Sequence, residues 1–363
     1  MNLKFLYIDD DAITKVGGFS NNLEIFTVQH CDSWESQLKF IEKESMLIDG
    51  LILDLKLNDV PNANKIRADF RGSTIAQEIR NRQKEKVIKE FPIILYSAND
   101  KVLESLEKSG LELFDLFMDK GNMDEKAFDE YSKQLIALGL CYQKHSRIFD
   151  IRELLKVEPT FIDPRFVSLF NSLANRPYYI TVGFVLNELI NKSGLLIDEN
   201  LLAARLGVDK DKSQSWSALL DCLSSCQYEG ILSGGWRRWW MFKIENWWKS
   251  ISSEHLRTMS ASKRVRLISE RYKLNDLKES EKIPKAKSDE FWCVCKGYEQ
   301  PLDPIDGLLI AGQDNLYPWQ DYEYVSIDAA LQRKRKYEWE DVAEIEKGKL
   351  EIYKKVYKRV SNE

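Results

Sequence analysis

The 363-residue chain has no long hydrophobic run. Its most apolar stretches, such as LIDGLILDL (47–55), stop far short of the roughly 20 residues that a membrane-spanning helix needs. No basic-then-apolar leader opens it, because acids arrive by residue 9. Histidine is scarce (His30, His145 and His255), and the six cysteines are scattered. Dispersed cysteines do not make a disulfide framework, which points to a reducing cytoplasm. Zinc needs four ligands at suitable spacing, and neither Cys222/Cys226 nor the C-x-C pair Cys293/Cys295 has a histidine nearby in sequence. Packing thiols are expected. Excess charge is also lacking, with a net charge of −5. Lys and Arg number 19 against 25 Asp and Glu in residues 1–145, 23 against 19 in 146–290, and 11 against 14 in 291–363. The basic middle permits a nucleic-acid face but is far too weak to imply one. No internal repeat or low-complexity tract is present.

What is there describes a globular chain, 44% apolar and 31% charged, long enough for two or three domains. In residues 1–145, KFLYI (4–8), EIFTVQH (24–30), GLILDL (50–55), FPIILYS (91–97) and LFDLFM (113–118) predict five strands. Stretches at helical spacing, 33–46, 73–90, 100–110 and 124–143, lie between and after them. Near-continuous apolar strands alternating with helices predict a doubly wound α/β domain with a parallel sheet.

The strand ends carry the chemistry. Asp9 and Asp10 close the first strand and Asp54 the third, on the edge where parallel sheets bind ligands. Ser97 closes the fourth and Lys120 follows the fifth. Clustered carboxylates repel, and a hard divalent cation with oxygen ligands, such as Mg²⁺, relieves the repulsion. Asp54 would be a carboxylate nucleophile toward a phosphoryl group, with Lys120 and Ser97 stabilising the transferred oxygens.

The motifs YIDDD, LILDL, LYSA and FMDK resemble the receiver domain of two-component response regulators over roughly residues 1–145. That resemblance implies a flavodoxin-like five-stranded sheet. It implies Mg²⁺ on Asp9, Asp10, Asp54 and the backbone carbonyl of Lys56, with Asp54 accepting phosphate from a histidine kinase or phosphotransfer protein. It makes Ser97 and Lys120 the phosphate contacts, and Ser97 and Phe117 a switch pair that turns inward on phosphorylation; core packing is the other reading of Phe117. Lys56 and Asn99 fall at positions that tune phosphate lifetime in that family, and Asp11 reads as a solvent-facing neighbour. Asp54 and Ser97 stand 43 positions apart, longer than usual, the surplus lying in NDVPNANKIRADFRG (58–72). Gly121 follows Lys120 where the family commonly has Pro.

Residues 146–253 turn helical and resemble a winged helix: one helix over 199–206 ending at Gly207, and a second carrying Trp216, Leu219, Leu220 and Leu223. GILSGGWRRWWMF would be the wing, with Gly234-Gly235 as a hairpin signal. The second helix opens on Ser213, Gln214 and Ser215, with Lys210 and Lys212 opposed by Asp209, Asp211 and Asp221, a poor phosphate-binding set. Arg237 and Arg238 are the better nucleic-acid candidates. Trp236, Trp239, Trp240, Trp247 and Trp248 read as buried aromatic anchors ahead of base-stacking platforms.

A charged helical linker (254–290) follows. A small α+β segment (291–363) then holds Asp303, Asp306, Asp314 and Asp321 and ends in a charged helix suited to solvent or to a homodimer. Two functions remain open: a phosphoacceptor whose C-terminal region changes contacts with protein or DNA, and a phosphate buffer or relay competing with a second receiver, as in kinase-coupled phage defence. Beyond residue 145 no nucleophile–base pair or phosphate loop suggests an output enzyme.

Overall fold

A computed structural model describes residues 2–11, 16–98, 108–145, 148–334 and 339–360. Asn99 and most of the helix predicted over 100–110 lie outside them.

Five strands, β1 (Leu3–Asp9), β2 (Leu23–Gln29), β3 (Gly50–Leu53), β4 (Ile93–Ser97) and β5 (Leu116–Asp119), form one sheet in the order β2-β1-β3-β4-β5. Every pairing is parallel. This is the flavodoxin-like order. Strand side chains alternate between two apolar faces, as the period of two requires. Leu6, Ile8, Leu51, Leu53 and Ile93 pack with Leu38 and Ile41 of α1 (Trp34–Glu44) and Ile75 and Ile79 of α2 (Gly72–Lys84). Phe5, Tyr7, Ile52, Ile94, Tyr96 and Met118 pack with Leu135 of α3 (Glu125–His145). Both faces are covered, which is why the central strands are continuous apolar runs.

The expected elements differ from the observed ones mainly at their ends. Helix α2 stops at Lys84 rather than 90, because Lys86 takes a left-handed φ of 62° that an α-helix cannot continue through. Strand β5 starts at Leu116, three residues later than expected, since Phe114 N bonds the Leu111 carbonyl in a turn.

The chain divides into two compact units, Met1–Asn187 with Glu229–Trp236, and Glu188–Tyr228 with Arg237–Glu363. In the first unit the sheet domain is joined by α4 (Ile151–Leu155), α5 (Pro164–Asn171) and α6 (Tyr178–Val185). Glu229–Trp236 belongs there too, its Ile231 N donating to the Leu154 carbonyl.

In the second unit β6 (Leu196–Ile197) pairs antiparallel with β7 (Trp239–Trp240), and Gln227 bridges Trp239 on the other side. Helices α7 (Glu199–Leu206) and α8 (Trp216–Cys222) precede that bridge, with Gly207 closing α7 at a left-handed φ of 73°. The tryptophans at 239, 240 and 248 are buried. No described helix is long and apolar enough to cross a membrane.

Candidate functional site

The strand order reverses direction between β1 and β3, so their C-terminal ends open onto a common crevice. Asp9 ends β1, Asp10 follows it, and Asp54 follows β3, with its amide donating to the Ile8 carbonyl. All three side chains are buried, and each offers an oxygen within 4.8 Å of the others. Among the described residues this is the one cluster of three or more potential metal ligands. Lys120 Nζ lies 2.9 Å from Asp9 Oδ2 and 2.9 Å from Asp54 Oδ1. Its backbone is held by Asp119, whose carboxylate accepts from Gly121 N and Asn122 Nδ2 to start a tight turn after β5. The structure thus brings together four of the five residues that the strand ends nominate, and places the fifth beside them. Ser97 is buried at the end of β4, and its Oγ has no hydrogen-bond partner among the described residues.

Other groups complete the crevice. Asp54 Oδ2 accepts from Lys56 N at 3.1 Å, so Lys56 presents its amide to that carboxylate. Asp10 Oδ2 accepts from Val60 N at 2.7 Å, and Asp11 N reaches Asp9 Oδ1 while Asp11 itself stays exposed. The Tyr7 hydroxyl donates to Asp9, and the ammonium of Lys120 lies 5.6 Å from the Tyr7 ring and 5.3 Å from the Tyr96 ring, within cation–π range. Phe117 packs half-buried against Leu55 and Leu95. Gly72, at the start of α2, comes so close that a Cβ there would stand 2.0 Å from the Asp54 carbonyl oxygen, so only glycine lets α2 begin there.

Tyr7, Tyr96, Val60 and Gly72 are missing from the sequence reading. Tyr7 had a signal: it lies two residues before Asp9 on the same strand face. Val60 acts through its backbone, which no side-chain motif reveals.

The electrostatics of the cluster are unfavourable without a cation. Burial, chiefly, lifts the Asp54 carboxyl above its ordinary value despite Lys120, and Asp9 adds to the rise. Burial also lifts Asp10, with Asp9 and Asp54 adding and the Val60 amide opposing. Between the unfolded and folded values the folded chain holds the extra proton, so stability falls as pH rises through that interval and the cost is full above the folded value. Asp10→Asn keeps an acceptor for Val60 and removes the charge. In chelator-treated buffer at neutral pH it should raise the melting temperature by a few degrees, the margin shrinking toward about pH 4, the ordinary carboxylate value. A melting scan across pH checks this, and an unchanged or lower melting temperature at neutral pH would mean that the Asp10 charge is already compensated.

The other nominated residues belong to the second unit. Arg238 Nε donates to the Ile190 carbonyl, and Arg237 pairs with Glu199 at 3.6 Å and lies over the Trp239 ring, 5.0 Å from its centre. Ser213 is buried, its hydroxyl donating to the Asp209 carbonyl and accepting from Lys278 N. Asp303 and Asp321 pair with Arg257 and Arg205, and Asp306 accepts two backbone amides. All six cysteines are free.

Compared with known proteins, no family model and no curated protein matches the chain. Among solved structures, the response regulator LqsR of Legionella pneumophila aligns at 13% identity and a TM-score of 0.29, covering 62% of this chain and 76% of that one.

Proposed function

We propose that the chain is a phosphoacceptor signalling protein in which Asp54 takes a phosphoryl group from a phosphohistidine, on a histidine kinase or a phosphotransfer protein, in a Mg²⁺-dependent reaction. The observation that carries this reading is the convergence of Asp9, Asp10, Asp54 and Lys120 at the switch point of a parallel sheet. An all-oxygen, all-carboxylate donor set within 4.8 Å suits a small hard dication, and Ser97 offers a buried hydroxyl still lacking a partner among the described residues. Asp9, Asp10 and Asp54, with the Lys56 carbonyl, would hold Mg²⁺, which supplies charge neutralisation for incoming phosphoryl oxygens.

The chain's own groups do the rest. The Lys56 amide on Oδ2 and Lys120 on Oδ1 fix the Asp54 carboxylate in one orientation. One of its oxygens attacks phosphorus, forming an acyl phosphate as the P–N bond of the donor imidazole breaks. The imidazole leaves with that electron pair and takes a proton from solvent. Lys120, released from one of its two carboxylates, and Ser97 then bind phosphoryl oxygens. Moving the Ser97 hydroxyl toward the phosphate, with Phe117 following, is the switch.

The output is proposed for the region beyond residue 145, through a protein partner. Two helices before a small sheet in which Trp239 sits between Ile197 and Gln227 support a winged-helix reading. The engagement of Arg237 and Arg238 within their own unit favours a protein over DNA.

Incubation with Mg²⁺ and acetyl phosphate tests the phosphoacceptor. Intact mass should rise by one phosphoryl group, the gain should vanish with EDTA, and peptide mapping after borohydride reduction should locate it at Asp54. No gain, or a gain mapped elsewhere, would end the proposal.

A further inference from the structure

The loop after the acceptor, 58–71, is a built structure. Asn62 is its centre and is buried. Its Oδ1 accepts from Asn64 N at 3.0 Å and Ile66 N at 3.1 Å, while its Nδ2 donates to the His30 carbonyl at 3.3 Å and Asp32 Oδ1 at 2.7 Å. The backbone closes on itself through Asn62 N to the Ile66 carbonyl and Lys65 N to the Asn62 carbonyl, with Lys65 at a left-handed φ of 61°. Asn64 Nδ2 adds two bonds to the Asp32 carboxylate, and Arg67 Nη1 ties back the Asn58 and Asp59 carbonyls. Ala68 and Phe70 anchor the far end in the core.

Two connections run from this loop to the acids. Val60 N donates to Asp10 Oδ2 at 2.7 Å. His30, whose carbonyl Asn62 holds, donates its own amide to the Asp9 carbonyl, and Gln29 Nε2 reaches the Asp10 carbonyl. The loop therefore grips the side chain of one acid directly and the backbone of both through the end of β2. A carboxylate pinned by one oxygen to a fixed amide loses rotamer freedom before any cation arrives, so less is lost on binding.

We propose that residues 58–71 are a clamp that presets Asp10 for a divalent cation, with Asn62 as the positioning residue that holds the Val60 amide in place. The inference rests on the divalent-cation site of the phosphoacceptor reading. Linkage makes it reciprocal: the cation tightens the loop as much as the loop tightens the cation.

Titration with Mg²⁺ alone, followed by calorimetry, tests it on the full chain. Asn62→Ala removes the centre of the loop, and Val60→Pro removes the donated hydrogen at a position whose φ is not positive. Each should weaken Mg²⁺ binding about tenfold, the lower end of what losing an outer-sphere partner of a metal ligand costs. Hydrogen exchange of the wild-type peptide spanning residues 58–66 should slow when Mg²⁺ is added. Folded variants with wild-type affinity would overturn the clamp. Should the variants fail to fold, wild-type exchange over 58–66 that ignores bound Mg²⁺ would overturn it equally. A wild type that binds no Mg²⁺ removes clamp and phosphoacceptor together. A Mg²⁺-dependent phosphoryl gain with affinity insensitive to the loop removes the clamp alone.

Discussion

Lys120→Met should take up phosphate at Asp54 about a hundredfold or more slowly than the wild type, on the scale of losing one preorganised donor to a developing anion, and yet bind Mg²⁺ more tightly. The two effects have opposite signs because the ammonium has two roles. It would bind the transferred phosphoryl group, and it already occupies Asp9 Oδ2 and Asp54 Oδ1, two of the three carboxylates available to a cation. Methionine keeps a long apolar stem between the Tyr7 and Tyr96 rings and carries no charge. Two unit charges 4 Å apart interact by roughly 4 kcal/mol at an effective dielectric near 20, so removing the competitor outweighs any small loss of order. In metal-free buffer the same variant should melt lower, two buried carboxylates having lost their ion-pair partner, and Mg²⁺ should restore most of the difference. Rates of mass gain and a Mg²⁺ titration read the two effects separately. If both fall together, Lys120 is a scaffold for the acids and not a contact of the phosphoryl group.

How far the sequence foretold this follows from what kind of signal each feature leaves. The sheet was legible because both of its faces are covered, so β3 and β4 are uninterrupted apolar runs ending in polar residues. The acids were legible because a parallel sheet puts the ends of β1 and β3 on one edge whatever lies between. Features made by backbone groups left no such trace. The Val60 amide on Asp10 and the approach of Gly72 to the Asp54 carbonyl depend on how the loop 58–71 closes, and Asn62 reads in sequence as one more polar loop residue. The extent of the first unit was hidden for a related reason. Residues 146–187 are helical, so the change of pattern at 146 looks like a boundary, whereas contacts such as Tyr179 N with Glu90 and the Cys141 thiol with the Tyr178 hydroxyl tie them to the sheet domain.

The largest effect on stability should come from a group that the sequence reading passed over. Asp115→Ala should destabilise the first unit by about 3–5 kcal/mol, the cost of stranding a buried charge, or some 6–20 °C at the 2–4 °C per kcal/mol typical of this size. Arg80 and Asp115 are fully buried, 2.6 Å apart. Asp115 Oδ2 also accepts from Ile93 N, and Oδ1 from the Tyr142 hydroxyl, whose pKa burial and Asp115 push well up. Arg80 spends three further donors on Gln83 and on the Leu113 and Phe91 carbonyls, and its guanidinium lies 4.3 Å from the Tyr179 ring centre. The network therefore joins α2, the starts of β4 and β5, α3 and α6. With the carboxylate removed, the guanidinium, the Ile93 amide and the Tyr142 hydroxyl lose their partner at once. Arg80→Met should cost a similar amount, whereas the double variant Arg80→Met/Asp115→Leu should recover much of the loss, since an apolar pair leaves no charge unpaired. The cluster lies at the N-terminal ends of β4 and β5, away from the acids at the opposite edge. Below its melting point Asp115→Ala should accordingly bind Mg²⁺ with wild-type affinity. Calorimetric unfolding of the three variants measures the coupling, and a double variant no more stable than either single one would show that geometry, not charge pairing, is what this network supplies.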